Sequence, residues 1–135
     1  VVFTNGCFDI LTKAHCAYLK EAKKLGDVLV VGLNSDSSVK KLKGPERPVN
    51  NQDDRAFVLE SLESVDYVFI FDDETIVRLL SILKPDVWVK GGDYTIDTIN
   101  QEERKKAEEL GVEIKLMSKI EGESTTTVIE KMQKA

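Results

Sequence analysis

Histidine occurs once in this sequence and cysteine twice, and each scarcity removes a class of chemistry. A single histidine cannot build a His-rich metal centre, which makes its position worth attention. Cys7 and Cys16 have neither the spacing of a redox pair nor companions for a zinc site, and a reducing cytoplasm accounts for both as small apolar side chains. Long apolar runs are missing too. Val28–Val31 and Val68–Phe71 fall far short of the roughly 20 residues that span a bilayer, and no basic-then-apolar leader precedes them. The expectation is a soluble, cytoplasmic protein with no membrane partner. Positive charge is in deficit, with 19 Lys and Arg against 24 Asp and Glu and a net charge of −5. That balance opposes the phosphate attraction on which most duplex-binding proteins rely, so nucleic acid is not an expected partner. A phosphate held here should sit in a local basic pocket.

What is present suits one enzyme-sized domain. A chain of 135 residues with 41% hydrophobic content can bury a continuous core without disulfides. The chain opens abruptly in the apolar Val1-Val2-Phe3, as a single domain over residues 1–135 cut from a longer parent would. A turn-rich stretch from Thr4 to Asp9 leads into a helical pattern from Thr12 to Leu25, apolar at Cys16, Leu19, Ala22 and Leu25 and ended by Gly26. Val28 to Gly32 reads as a strand buried on both faces, followed by a short helix to Leu42. The loop Lys43-Gly44-Pro45-Glu46-Arg47-Pro48 precedes a helix from Asn51 to Leu62 expected to turn Phe57, Val58 and Leu62 inward. Further strands are expected at Tyr67–Phe71, Val87–Val89 and Val112–Met117, with helices at Glu74–Leu83 and Gln101–Leu110 and a last one beginning at Ser124. Trp88 and Tyr18 fall inside regular structure and read as packing residues.

Five strands alternating with helices predict an α/β fold: a Rossmann-like, doubly wound five-stranded parallel sheet with helices on both faces. Ligands bind such sheets beyond the carboxyl ends of the strands, where strand order reverses. Asn5–Asp9, Asn34–Asp36, Lys90–Tyr94 and Ser124–Thr126 all belong at that end.

Thr12 and His15 are three residues apart at the start of the first helix and share one face of its first turn. The Asn5-Gly6 turn and the free amides of a helix start suit an anion. By themselves these residues are equally an N-cap and an ordinary helical histidine. The whole run Thr4-Asn5-Gly6-Cys7-Phe8-Asp9-Ile10-Leu11-Thr12-Lys13-Ala14-His15, however, resembles the first motif of the cytidylyltransferase-like nucleotidyltransferases, in which a G-x-F-D turn leads into [H/T]-x-G-H. The resemblance extends over essentially the whole chain and is strongest to the branch of heptose 1-phosphate adenylyltransferases. It continues through Asn34-Ser35-Asp36, Lys43-Gly44-Pro45, Arg47-Pro48-Val49, Lys90-Gly91-Gly92-Asp93-Tyr94 and Ser124-Thr125-Thr126. Thr12 stands where that branch has histidine, and Ala14 replaces the usual glycine.

The resemblance implies attack by a sugar-phosphate oxygen on the α-phosphorus of ATP, with Mg2+ accompanying the nucleotide and pyrophosphate leaving. Such a step needs positioning and charge neutralisation more than an enzyme nucleophile. His15, Thr12 and Lys43 are the expected catalytic group. Nucleotide and phosphate contacts are expected from Thr4, Asn5, Gly6, Cys7, Phe8, Lys40, Arg55, Lys90, Gly91, Gly92, Asp93, Ser124, Thr125 and Thr126. Asp9, Asn34, Asp36 and Arg47 are expected to meet the second substrate, a small sugar phosphate. The lysines and arginines read equally as a solvated face, and Asp9 as a turn residue. No protein metal ligands are assigned, and a homodimer is a family-level expectation. Two alternatives stay open: cytidylyl transfer to glycerol 3-phosphate or another small phosphate, and a nucleotide-binding domain whose catalysis is weakened by Thr12 and Ala14.

Overall fold

The computed structural model describes residues 1–92, 94–117 and 132–133. Five strands, β1 (Val2–Gly6), β2 (Leu29–Asn34), β3 (Tyr67–Phe71), β4 (Val87–Gly91) and β5 (Glu113–Met117), form one parallel sheet in the order β3-β2-β1-β4-β5. Strand order reverses at β1, where Phe3 pairs with Val30 on one side and Trp88 on the other. Parallel neighbours need crossover connections, and helices supply them: α1 (Lys13–Lys23), α2 (Asp36–Lys43), α3 (Gln52–Glu60), α4 (Val77–Leu83) and α5 (Gln101–Leu110).

The central strands are apolar at consecutive positions because both faces are covered. Along β2, Leu29, Val31 and Leu33 enter one core with Leu19 and Ala22 of α1 and Leu59 of α3. Val30 enters the opposite core with Leu79 and Leu80 of α4 and Ala107 of α5. Trp88 and Val89 of β4 divide in the same way, as the two-residue period of a strand requires. Trp88 is fully buried, the packing role expected of it. β5 lies at a sheet edge with Glu113 and Lys115 exposed between half-buried Ile114 and Leu116, matching its alternating sequence.

Side-chain caps fix several helix starts. Ser35 accepts from the Ser38 amide at 3.2 Å to open α2. Asn100 Oδ1 accepts from the amides of Glu102 and Glu103 at 2.9 and 3.0 Å to open α5. These caps place the polar starts of α2 and α5 at the carboxyl end of the sheet.

The expected inward face of α3 is wrong. Phe57 is 72% exposed and Val58 46% exposed, whereas Arg55 and Leu59, one turn apart, face the sheet. Arg55 is drawn in by hydrogen bonds to three backbone carbonyls and a carboxylate, and its rotation carries Phe57 and Val58 outward. Leu62 does pack against the core. α4 starts at Val77 rather than Glu74. Asp93, the helix expected from Ser124, and with it Ser124, Thr125 and Thr126, lie outside the described residues. No described helix is long and apolar enough to cross a membrane.

Candidate active site

β1 ends in a turn where Phe8 adopts φ of 43°. A Cβ on Gly6 would stand 2.8 Å from the Phe8 ring, so glycine at this position lets the ring fold back over the strand end. The ring then meets His15 edge-on, with centroids 5.7 Å apart.

Thr12 is the N-cap of α1, and its backbone N–H donates to Nδ1 of His15 at 3.1 Å. Thr12 Oγ1 lies 3.2 Å from the same nitrogen. An amide only donates, so Nδ1 accepts and the ring proton resides on Nε2. Burial, which holds the imidazole pKa below its ordinary 6.5, acts in the same direction. His15 therefore lines its cleft as a neutral ring with one N–H to offer. Thr12 is absent from that lining, and its observed contribution is to hold the histidine.

Several residues expected at the phosphate site also hold the fold together. Thr4 is fully buried, its Oγ1 donating to the Val89 carbonyl at 2.9 Å and lying 2.7 Å from the Tyr18 hydroxyl. Burial pushes the Tyr18 phenol up to about 12, so it stays protonated in this joint between β1, α1 and β4. A Cβ on Gly91 would come 2.7 Å from the Tyr18 ring, so that glycine makes room for the tyrosine. Gly91 and Gly92, expected to open backbone towards a base, do not line the cleft.

The cations separate into different roles. Arg55 is 2% exposed, with Nε donating to the Asn50 carbonyl at 3.0 Å and Nη1 to the carbonyls of Cys7 and Asn34, both at 2.8 Å. Its Nη2 donates to Asp36 Oδ1 at 2.8 Å. Its guanidinium is thus spent beneath the site, positioning the β1 turn. Asp9 is also buried: Oδ2 accepts from Arg47 Nε at 3.1 Å and Val49 N at 2.7 Å, and Oδ1 accepts from Asn50 N at 2.8 Å. Both Asp9 and Arg47 line the cleft, but the carboxylate acts first as the clasp of the loop after α2. Lys40 and Asp36 face a separate shallow pocket with Asn51 and Asp54.

The main cleft, about 490 Å³, opens over the carboxyl ends of β1, β2, β3 and β4. Of the expected residues it gathers Asn5, Gly6, Cys7, Phe8, Asp9, His15, Asn34, Lys43, Arg47 and Lys90. Asn5 is held by Trp88, whose Nε1 donates to its Oδ1 at 3.2 Å. Burial pushes the Cys7 thiol up, opposed in part by the nearby positive charges of Lys43, Arg55 and Arg47. Lys90 Nζ sits 4.9 Å over the Tyr94 ring. The cleft also contains residues that sequence reasoning did not assign: Phe71, Glu74, Ile76, Asn100 and Glu103. Their signal was topological, since Phe71 ends β3, Glu74 and Ile76 follow it, and Asn100 and Glu103 open α5. Among the described residues no group of three or more His, Cys, Asp or Glu side chains could hold a metal ion.

Comparison with known proteins agrees with this geometry. The cytidylyltransferase-like family model matches residues 3–131. The bifunctional protein HldE of Aliarcobacter butzleri is 55% identical over 134 residues, covering 98% of this chain and 27% of that protein. HldE of Helicobacter pylori strain J99 is 52% identical over 134 residues, 99% of this chain and 28% of its own length. The chain thus spans little more than a quarter of the curated relatives it matches. Among solved structures, a lipopolysaccharide core biosynthesis protein of Thermoplasma volcanium has a TM-score of 0.72 at 30% identity, over 88% of this chain and 94% of that one. TmcAL of Thermotoga maritima, with a TM-score of 0.73 at 10% identity over 98% of this chain and 50% of its own, shares the fold. With a family match over nearly its whole length, on a sheet that reverses at the strand carrying the shared motif, the chain belongs to the cytidylyltransferase-like family of nucleotidyltransferases.

Proposed function

We propose that this chain transfers AMP from MgATP to a heptose 1-phosphate, releasing pyrophosphate, in the cytoplasmic synthesis of bacterial surface-polysaccharide precursors. The observation that carries this reading is the cleft itself: a neutral N–H donor, His15, and the cations Lys43 and Arg47 gathered around the turn after β1. Similarity to HldE proteins supports the heptose branch.

A phosphate oxygen of the sugar phosphate attacks the α-phosphorus of ATP in line. The bond from that phosphorus to the bridging oxygen of the β-phosphate breaks, and pyrophosphate departs with the electron pair. Charge grows on the phosphate oxygens during the step, and prepositioned donors in a partly enclosed site stabilise it without reorganising. Nε2–H of His15 and the Lys43 ammonium fill this role, while Asp9 ties the turn leading into α1 to the loop that follows Lys43. Magnesium enters with the triphosphate as part of the substrate. This suits the side chains present, because both oxygens of Asp9 and Oδ1 of Asp36 are committed to protein donors.

The test is pyrophosphate release by the purified protein with magnesium, each nucleoside triphosphate in turn, and either heptose 1-phosphate or glycerol 3-phosphate. Turnover confined to ATP with the heptose 1-phosphate is expected. Preference for CTP and glycerol 3-phosphate refutes the assignment of partners, and ATP binding without any turnover leaves a binding module.

A further inference from the structure

The cleft is electrically two-sided. Lys43, Arg47 and His15 come from the loops and helices after β1 and β2, whereas Glu74 follows β3 and Asn100 and Glu103 open α5. Lys90, two residues after Trp88 on β4, lines the cleft from the same sheet face, so the second side carries one cation beside its two carboxylates.

Glu103 is the unusual member. It is 8% exposed and has no ion-pair partner among the described residues, although buried carboxylates ordinarily have one. Its Oε2 accepts from the Ile76 amide at 2.8 Å, at the start of α4. Its other oxygen has no hydrogen-bond partner among the described residues. Glu103 lines the cleft, and no buried polar side-chain atom among the described residues is left unsatisfied. A carboxylate caps the Ile76 amide at the start of α4 more strongly than a glutamine would, although glutamine keeps an acceptor for that amide. Asn100 has its Oδ1 committed to two amides, leaving its NH2 as the group it can offer. Phe71 and Ile76, 5% and 1% exposed, back the same side with core side chains.

Carboxylate acceptors and an amide donor match a ring bearing several hydroxyls. We propose that Glu103, with Glu74 and Asn100, forms the subsite that recognises the hydroxyl groups of the sugar phosphate acceptor, while its phosphate lies towards Lys43 and Arg47. This rests on the sugar phosphate reading of the function but is tested by binding alone. Hydroxyls donate to the carboxylates, and such charge-assisted bonds are among the stronger neutral-to-ion contacts.

The experiment is titration calorimetry of the wild type, Glu103→Gln and Glu74→Gln with heptose 1-phosphate, inorganic phosphate and MgATP. The wild type should bind heptose 1-phosphate more tightly than inorganic phosphate. Glu103→Gln, which retains an acceptor for the Ile76 amide, should weaken heptose 1-phosphate binding roughly tenfold or more and leave inorganic phosphate and MgATP within about twofold. Exposed Glu74→Gln should act in the same direction with no effect on folding. The inference is overturned if Glu103→Gln binds heptose 1-phosphate as the wild type does, or if the wild type does not distinguish it from inorganic phosphate. Loss of sugar discrimination on Glu103→Gln in a protein that releases no pyrophosphate supports this subsite and sinks adenylyl transfer, so the two failures are separable.

Discussion

The backbone amide of Thr12 donates to Nδ1 of His15 across 3.1 Å, so the cap of a helix also selects the tautomer of the histidine that lines the cleft. The side chain of Thr12 is secondary to this bond, since the amide belongs to the backbone. Replacement of Thr12 by Ala should therefore leave the ring in place, whereas Thr12→His, whose longer side chain carries a ring N–H beyond the reach of threonine, should raise turnover in steady-state assays.

His15→Ala should lower kcat/KM roughly 100-fold, the scale of removing one prepositioned transition-state donor, and a steady-state comparison checks it. An unchanged rate removes His15 from the mechanism. The pH dependence has a definite sign. Folding lowers the His15 pKa below 6.5, so the unfolded chain takes up a proton first as pH falls. The stability associated with neutral His15 is thus present above about pH 6.5 and declines below it. Denaturation midpoints of wild type and His15→Ala should converge in relative terms at acid pH, and parallel profiles would contradict the assignment.

Asp9→Ala should cost about 3 kcal/mol, because it strands the amides of Val49 and Asn50 together with the Arg47 guanidinium. Arg47→Ala should cost less, as the two amides still satisfy the carboxylate. Urea unfolding gives both values, and equal losses would show that the ion pair rather than the loop amides dominates.

Arg55→Met should destabilise by about 3–5 kcal/mol, since Asp36 and three carbonyls lose a buried partner at once. Arg55→Lys should recover little, because one ammonium cannot span the positions the planar guanidinium reaches. Recovery to near wild-type stability by lysine would mean that charge, not fork geometry, is what this position requires.

Gly91→Ala should cost about 1–3 kcal/mol by forcing a methyl group against the Tyr18 ring, which its hydroxyl pins to Thr4 and Val89. In a Tyr18→Leu background the same change should cost less. A double-mutant cycle with no coupling would place the strain elsewhere.

Much of the architecture could be read from the chain because its signals were local. Val28–Gly32 could only be a strand covered on both faces, and Thr12 with His15 announced the first turn of α1. α3 misled because its inward face is set by Arg55, whose burial is driven by three distant acceptors on Cys7, Asn34 and Asp36 that no periodicity in residues 51–62 displays. Glycine was ambiguous in the same way: at position 91 the missing side chain serves Tyr18, 73 positions earlier in the chain. Glu103 was hidden within Gln101-Glu102-Glu103-Arg104-Lys105-Lys106, a run indistinguishable from a solvated helix face until the fold shows which turn points into the cleft.

Alternate residues of β2 and β4 feed separate cores, and the two walls of the cleft inherit that separation. His15 rides on α1, rooted in one core, while Glu103 rides on α5, rooted in the other. Sequence drift that reshapes the α5 wall need not disturb the packing beneath His15. Packing changes on the α5 side can therefore reshape one wall of the cleft while the α1 side keeps its form, which makes the covered two-faced sheet a source of evolvability as much as of stability.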